Sequence, residues 1–109
     1  MIVNVVILDS AEQDLKELRR YILKNFSVEI WEQTYRKLKD AMRNLQKFLL
    51  AGSIPEEIAK LNLTQYRQII SGMNRIIYEV RHNVIYIHLI SDSRRELGTL
   101  LANRFMRNS

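Results

Sequence analysis

From Tyr66 to Glu96 the chain reads YRQIISGMNRIIYEVRHNVIYIHLISDSRRE, and no other stretch limits the possible folds so tightly. Runs rich in Ile, Val and Tyr at 66–70, 75–81 and 84–90 are separated by Ser71-Gly72-Met73-Asn74 and by His82-Asn83. Both separators are short turn-type connections, so the stretch predicts an antiparallel meander of three strands. In the middle run Ile76, Tyr78 and Val80 share one face, and Arg75, Ile77, Glu79 and Arg81 the other. In the last run Ile85, Ile87 and Leu89 alternate with Tyr86, His88 and Ile90, which suits a central strand apolar on both faces. Ser93-Arg-Arg-Glu96 then has capping-box spacing, and Leu97, Leu100, Leu101 and Phe105 form the stripe of a closing helix.

The residues before the meander must cover one of its faces. Ile2–Leu8 is a nearly continuous aliphatic run, which predicts a strand covered on both sides and placed inside the sheet. Ser10-Ala-Glu-Gln13 is a further capping-box spacing, and Ala11, Leu15, Leu18 and Ile22 follow as one helical stripe. After the break at Asn25-Phe-Ser27, Ser27 can cap a second helix carrying Trp31, Tyr35, Leu38, Met42, Leu45 and Leu49 on one side. Helices joined so closely fold back as an antiparallel hairpin, and their stripes need a common apolar surface. Trp31 and the methionines are therefore read as core. Gly52 suits a left-handed helix end, Pro55 blocks continuation, and residues 55–60 allow one helical turn. The fold class is α+β, in the order β-α-α-β-β-β-α. A four-stranded, mainly antiparallel sheet is packed by the N-terminal hairpin, and the first strand can run parallel to its neighbour.

Residues 1–109, nearly half of them apolar, form one domain, with no linker, repeat or low-complexity run. The absence of cysteine excludes disulfides, thiol chemistry and thiolate zinc sites, and the lack of a signal peptide or membrane-length apolar run makes a cytoplasmic location the default. No cofactor or metal is expected. The net charge of +5 arises entirely after residue 59: residues 1–59 hold nine basic and nine acidic side chains, and residues 60–109 eight and three. Such asymmetry points to a polyanionic or acidic partner, or else to a solvated basic surface.

The basic residues of the key stretch are arginines: Arg67, Arg75, Arg81, Arg94 and Arg95. Their planar forks suit phosphate or carboxylate. Arg94 and Arg95 fall at the first turn of the closing helix, where free amides favour an anion, and Arg75 could reach them from its strand. The same arginines could instead pair with Asp92, Glu79 and Glu96 and tie helix to sheet. His82 reads as a turn residue and His88 as a packed histidine, since no second histidine or carboxylate stands at metal or triad spacing. No phosphate-binding glycine loop or nucleophile elbow is present.

The element order, the helix start Leu8-Asp-Ser-Ala-Glu-Gln-Asp-Leu15, the phrase Asn74-Arg-Ile-Ile-Tyr-Glu-Val80 and the segment Asp92-Ser-Arg-Arg-Glu96 resemble the RelE/ParE superfamily of toxins from bacterial type II toxin–antitoxin modules. The resemblance spans about the whole chain. It implies one of two activities: ribosome-dependent cleavage of messenger RNA, as in RelE-like members, or poisoning of DNA gyrase, as in ParE-like members. Arg75 and Arg95 fall where RelE-like enzymes place two phosphate-binding arginines. The lysines of those enzymes are answered by Arg67 and Ile69, their last-helix tyrosine by Leu101, and a histidine used by other members by Asp92. With no proton-transfer group beside the arginines, hydrolysis has no evident acid or base. The expectation is therefore a ParE-like gyrase inhibitor that works by binding, without catalytic residues. An acidic, amphipathic segment of a cognate antitoxin would neutralise it in a hetero-oligomer, with no membrane involved. Target- or anion-binding candidates are Arg67, Arg75, Tyr78, Arg94 and Arg95. The alternative is an mRNA interferase using Arg75 and Arg95, with Arg67 or Tyr78 as further candidates; a third reading is an inactive relative that only forms a repressor complex.

Overall fold

The structure, a computed structural model, describes residues 3–107, with side chains through Arg104, so Ile2 and the Phe105 side chain lie outside the described residues. The elements are β1 (Asn4–Ile7), α1 (Asp9–Asn25), α2 (Val28–Leu45), α3 (Glu56–Ala59), β2 (Tyr66–Ser71), β3 (Asn74–Arg81), β4 (Val84–Asp92) and α4 (Leu97–Arg107). The sheet order is β1-β4-β3-β2, with β1 parallel to β4 and the other pairs antiparallel. The α+β class and the meander stand as expected. Gly72, with φ of 60°, turns β2 into β3, and His82 and Asn83, with φ of 51° and 62°, form the left-handed two-residue turn that matches strand twist.

The strand of aliphatics at the N-terminus is not interior. It occupies the rim, where Asn4 is exposed and Val6 retains 39% of its surface. A parallel strand needs only one partner, and β4 supplies it on one side alone. Nor does Ser10 cap α1: the helix begins at Asp9, Leu8 is the cap residue, and no side chain caps it. Ser27 does cap α2, its Oγ accepting from the Ile30 N–H at 3.1 Å. Gly52 does not take a positive φ. It is required by close approach, since an added Cβ would lie 2.5 Å from the Gln68 carbonyl oxygen and 2.8 Å from the Tyr78 ring.

Two cores sandwich the sheet. On one face the hairpin lays Leu38, Met42 and Leu45 on Ile76, Tyr78, Ile85, Ile87 and Ile90, with Leu15 and Leu18 partly buried beside them. On the other, Ile58 of α3 and Leu97 and Leu101 of α4 meet Ile77 and Leu89. The simple alternation expected along β4 fails. Ile77 pairs with Leu89 but Tyr78 with Ile87, so His88 is an extra residue, and this bulge turns Ile90 rather than Leu89 toward the hairpin. Met42 belongs to the core, whereas Trp31 is half-buried and Tyr35 and Met73 are exposed; Met1 and the Met106 side chain lie outside the described residues. No described helix is long and apolar enough to cross a membrane.

Candidate functional site

Strand parity separates the candidate arginines before any other feature does. Arg67 is opposite Tyr78 in the β2–β3 register and lies on the hairpin face, whereas Arg75 shares the face of Ile77 and Glu79. Arg67 is half-buried and its Nη1 donates to the Gly52 carbonyl at 2.7 Å. Tyr78 is fully buried. Its hydroxyl accepts from the Gly52 N–H at 2.9 Å and donates to the Leu49 carbonyl at 3.0 Å. Burial pushes its pKa up against the lowering effect of Gly52 and Arg67, so the hydroxyl stays neutral. Arg67 and Tyr78 together clamp the 49–53 segment onto the sheet, and Tyr78 has no surface to offer a partner.

Arg75 spans β3 and the segment leading to α4. Its Nη2 donates to the Ser93 carbonyl at 2.6 Å and its Nη1 to Gln68 Oε1 at 3.3 Å. Its Nε is buried without a partner among the described residues. Arg94 and Arg95 do not form the first turn of the closing helix, as their capping-box spacing suggested. They lie in the connection before it, because Glu96 caps α4: its carboxylate accepts from Gly98 and Thr99 N–H at 2.8 Å each. Those bonds hold its pKa down, and the amides expected to receive an anion are already occupied. Arg94 grips Asp92 through Nε at 2.9 Å and Nη2 at 2.7 Å, while its own N–H donates to the same carboxylate at 2.8 Å. This fork pushes the Asp92 pKa down to about 2.

What the structure does bring together is a trough along α1. Its apolar end, a cleft of about 390 Å³, lies between the hairpin tip and the β2–β3 turn and is lined by Leu18, Tyr21, Phe26, Ile30 and Met73, with Arg94 at the side. Tyr21, Phe26, Ile30 and Met73 each keep 41–62% of their surface exposed. A second cleft of about 410 Å³ shares Leu18, Tyr21 and Arg94 and adds Arg95 and Asp14. A third, of about 520 Å³, continues past Arg95 and Glu17 to Leu100 and Arg104. Apolar side chains therefore give way to a charged rim along one groove, on which Arg94 and Arg104 are paired with Asp92 and Asp14 and the exposed Arg95 stands beside Glu17.

Sequence reasoning missed this apolar end, although Phe26 in a helix break and Met73 in a tight turn were visible as large apolar residues off any stripe. It also missed Asp14 and Arg104, which pair at 2.8 Å under cover. Each sits on its helix's apolar stripe, Asp14 three residues after Ala11 and Arg104 three after Leu101. A charge there signals a buried partner.

Residues 5–97 match the sequence pattern of a family described as ParE toxin of type II toxin–antitoxin system, parDE. No curated protein matches by sequence. Among solved structures, a chain from the chromosomal ParDE TA system of P. aeruginosa superposes with a TM-score of 0.69 at 15% identity, covering 84% of this chain and 96% of that one. A chain of the RelBE2 toxin–antitoxin complex of Mycobacterium tuberculosis gives 0.58 at 18% identity, with 84% and 92% covered. A mutant E. coli toxin RelE in the free state gives 0.60 at 13% identity, with 98% of each chain covered. At these identities the structures share the fold.

Proposed function

The chain belongs to the ParE toxin family of type II toxin–antitoxin systems, and from that premise we propose that it arrests growth by binding DNA gyrase. A cognate antitoxin holds it silent through an acidic, amphipathic segment seated in the trough along α1. Arg95 meets a carboxylate of that segment, with Arg94, held by Asp92, at its side, and the Phe26–Met73 end takes the apolar side chains.

One observation supports the choice of a binding inhibitor over a nuclease: three of the four carboxylates beside the exposed arginines are already engaged, and no histidine lines their clefts. Asp92 is held by Arg94, Glu96 by the α4 amides, and Asp14 by Arg104. Glu17 and the exposed Tyr21 hydroxyl remain, where phosphodiester cleavage needs an acid and a base each held in place. His88 is packed against Glu79, about 13 Å along the strand from Arg75 by strand rise. Tyr78, a candidate of the nuclease reading, is enclosed on the opposite face from Arg75.

Induction in growing bacteria tests the reading. Incorporation of labelled thymidine should stop before incorporation of labelled amino acids, and co-expression of the antitoxin should restore both. Amino-acid incorporation failing first, with messenger RNA cut inside codons, would instead place the chain with the RelE-type interferases.

A further inference from the structure

The rim strand β1 keeps an open backbone edge, which the proposed function does not use. The Leu8 N–H donates to the Ile87 carbonyl, so strand geometry turns the N–H and C=O of Asn4 and Val6 toward β4 and those of Val3, Val5 and Ile7 away from it. The outward Val3 carbonyl takes a bond from Gln46 Nε2 at 2.7 Å. The outward groups of Val5 and Ile7 have no partner among the described residues. Edge strands are commonly blunted by a charge, a proline or a bulge, and Asn4–Ile7 has none of these. Ile7 also lines a cleft of about 330 Å³ together with Leu15 and the stacked rings of Trp31 and Tyr35. Both rings sit on the stripe expected to be core, yet Tyr35 keeps 38% of its surface and Trp31 is only half-buried, the sheet ending at β1.

We infer that this edge docks an extended segment of a partner protein, which adds a fifth strand beside β1. Its backbone pairs with Val5 and Ile7, an apolar side chain enters the cleft against Trp31 and Tyr35, and a carboxylate meets Lys16 and Arg19. Strand addition draws affinity from main-chain bonds and selectivity from pockets for alternate side chains, and the two lie side by side here. Lys16 and Arg19 outnumber Glu12 in the lining, and none of the three is ion-paired among the described residues. A helix offers no free backbone groups along its length to such an edge. A second copy suits it less than a peptide does: antiparallel pairing of two β1 strands sets both hairpins on one face, so Lys16 and Arg19 of each copy would confront their equivalents. None of these cleft residues lines the trough, so the two sites are separate.

The outward amides allow a site-specific test. The full chain is titrated with an eight-residue peptide that alternates valine and threonine and carries one aspartate, and hydrogen exchange is followed by NMR. The Val5 and Ile7 amides should gain protection, and the fluorescence of Trp31, the only tryptophan, should change saturably. The same peptide N-methylated at every residue should not bind, having lost its donors. Lys16→Glu with Arg19→Glu, both at exposed positions, should weaken binding of the aspartate peptide about tenfold and favour a peptide carrying lysine in its place, with the thermal midpoint of the free protein unchanged. Unchanged exchange at Val5 and Ile7, equal binding by the N-methylated peptide, or an unaltered preference in the charge-reversed variant would each overturn the assignment. So would a peptide-free dimer that already protects those two amides.

Discussion

The Asp14 carboxylate and the Arg104 guanidinium, 90 residues apart in the chain, meet at 2.8 Å with side chains only 14% and 8% exposed. The pair closes the gap that the short β1 leaves beside β4. Ladder pairing reaches only Ile87, to which Leu8 donates. Past that point Asp14 accepts the Ile90 N–H at 3.0 Å, and Arg104 donates to the His88 carbonyl. Burial raises the Asp14 pKa, opposed by Arg104 and the Ile90 amide. Three elements far apart in sequence, α1, β4 and α4, are thereby fixed to one another.

Removing one partner of this pair leaves the other charge buried and alone. Arg104→Ala or Asp14→Ala should each destabilise by about 3–5 kcal/mol in urea denaturation. The double variant should lose less than the sum of the two. Additive losses would show that the two side chains act separately.

Tyr78→Phe should cost about 1–3 kcal/mol, because the Gly52 N–H and the Leu49 carbonyl lose their buried partner. Growth arrest at a permissive temperature should persist, since the hydroxyl is enclosed. Loss of toxicity from a protein of unaltered fold would return Tyr78 to the functional residues.

Much of the fold was legible because it rests on local pattern. The bounds of β3, the Ser27 cap and the stripe of Leu38, Met42 and Leu45 follow from periodicity and turn chemistry. The rim position of β1 was not legible, since an aliphatic strand reads alike whether its second face meets a helix or solvent. The His88 bulge was hidden because β4 is apolar on both faces, so a one-residue slip leaves no mark on the pattern. Of the site, the arginines were visible but their grouping was not. Ser93 and Glu96 are both able to cap, and only the fold decides which does, which moves Arg94 and Arg95 off the helix.

His88 supplies the pH dependence. Burial depresses its pKa below the ordinary value of about 6.5, and the bond to Glu79 only partly opposes this. Below that value the unfolded chain takes up a proton that the folded one resists, so stability is full above about pH 6.5 and falls as pH drops toward the folded pKa. The thermal midpoint of the wild type should decline over that range, and His88→Gln should flatten the decline. An equal slope in the variant would assign it to other groups.

The central claim, that the chain disables gyrase by binding, is met most directly by a supercoiling assay with purified protein. The account predicts that the protein inhibits supercoiling of relaxed plasmid by gyrase or traps cleaved DNA, while messenger RNA in a translating extract stays intact. Arg94 and Arg95, the surface that the antitoxin covers, are taken as contacts with gyrase as well, so Arg94→Ala with Arg95→Ala should weaken this inhibition with the thermal midpoint nearly unchanged, both side chains being exposed. Full gyrase activity at saturating protein, together with ribosome-dependent cleavage of messenger RNA, would contradict it.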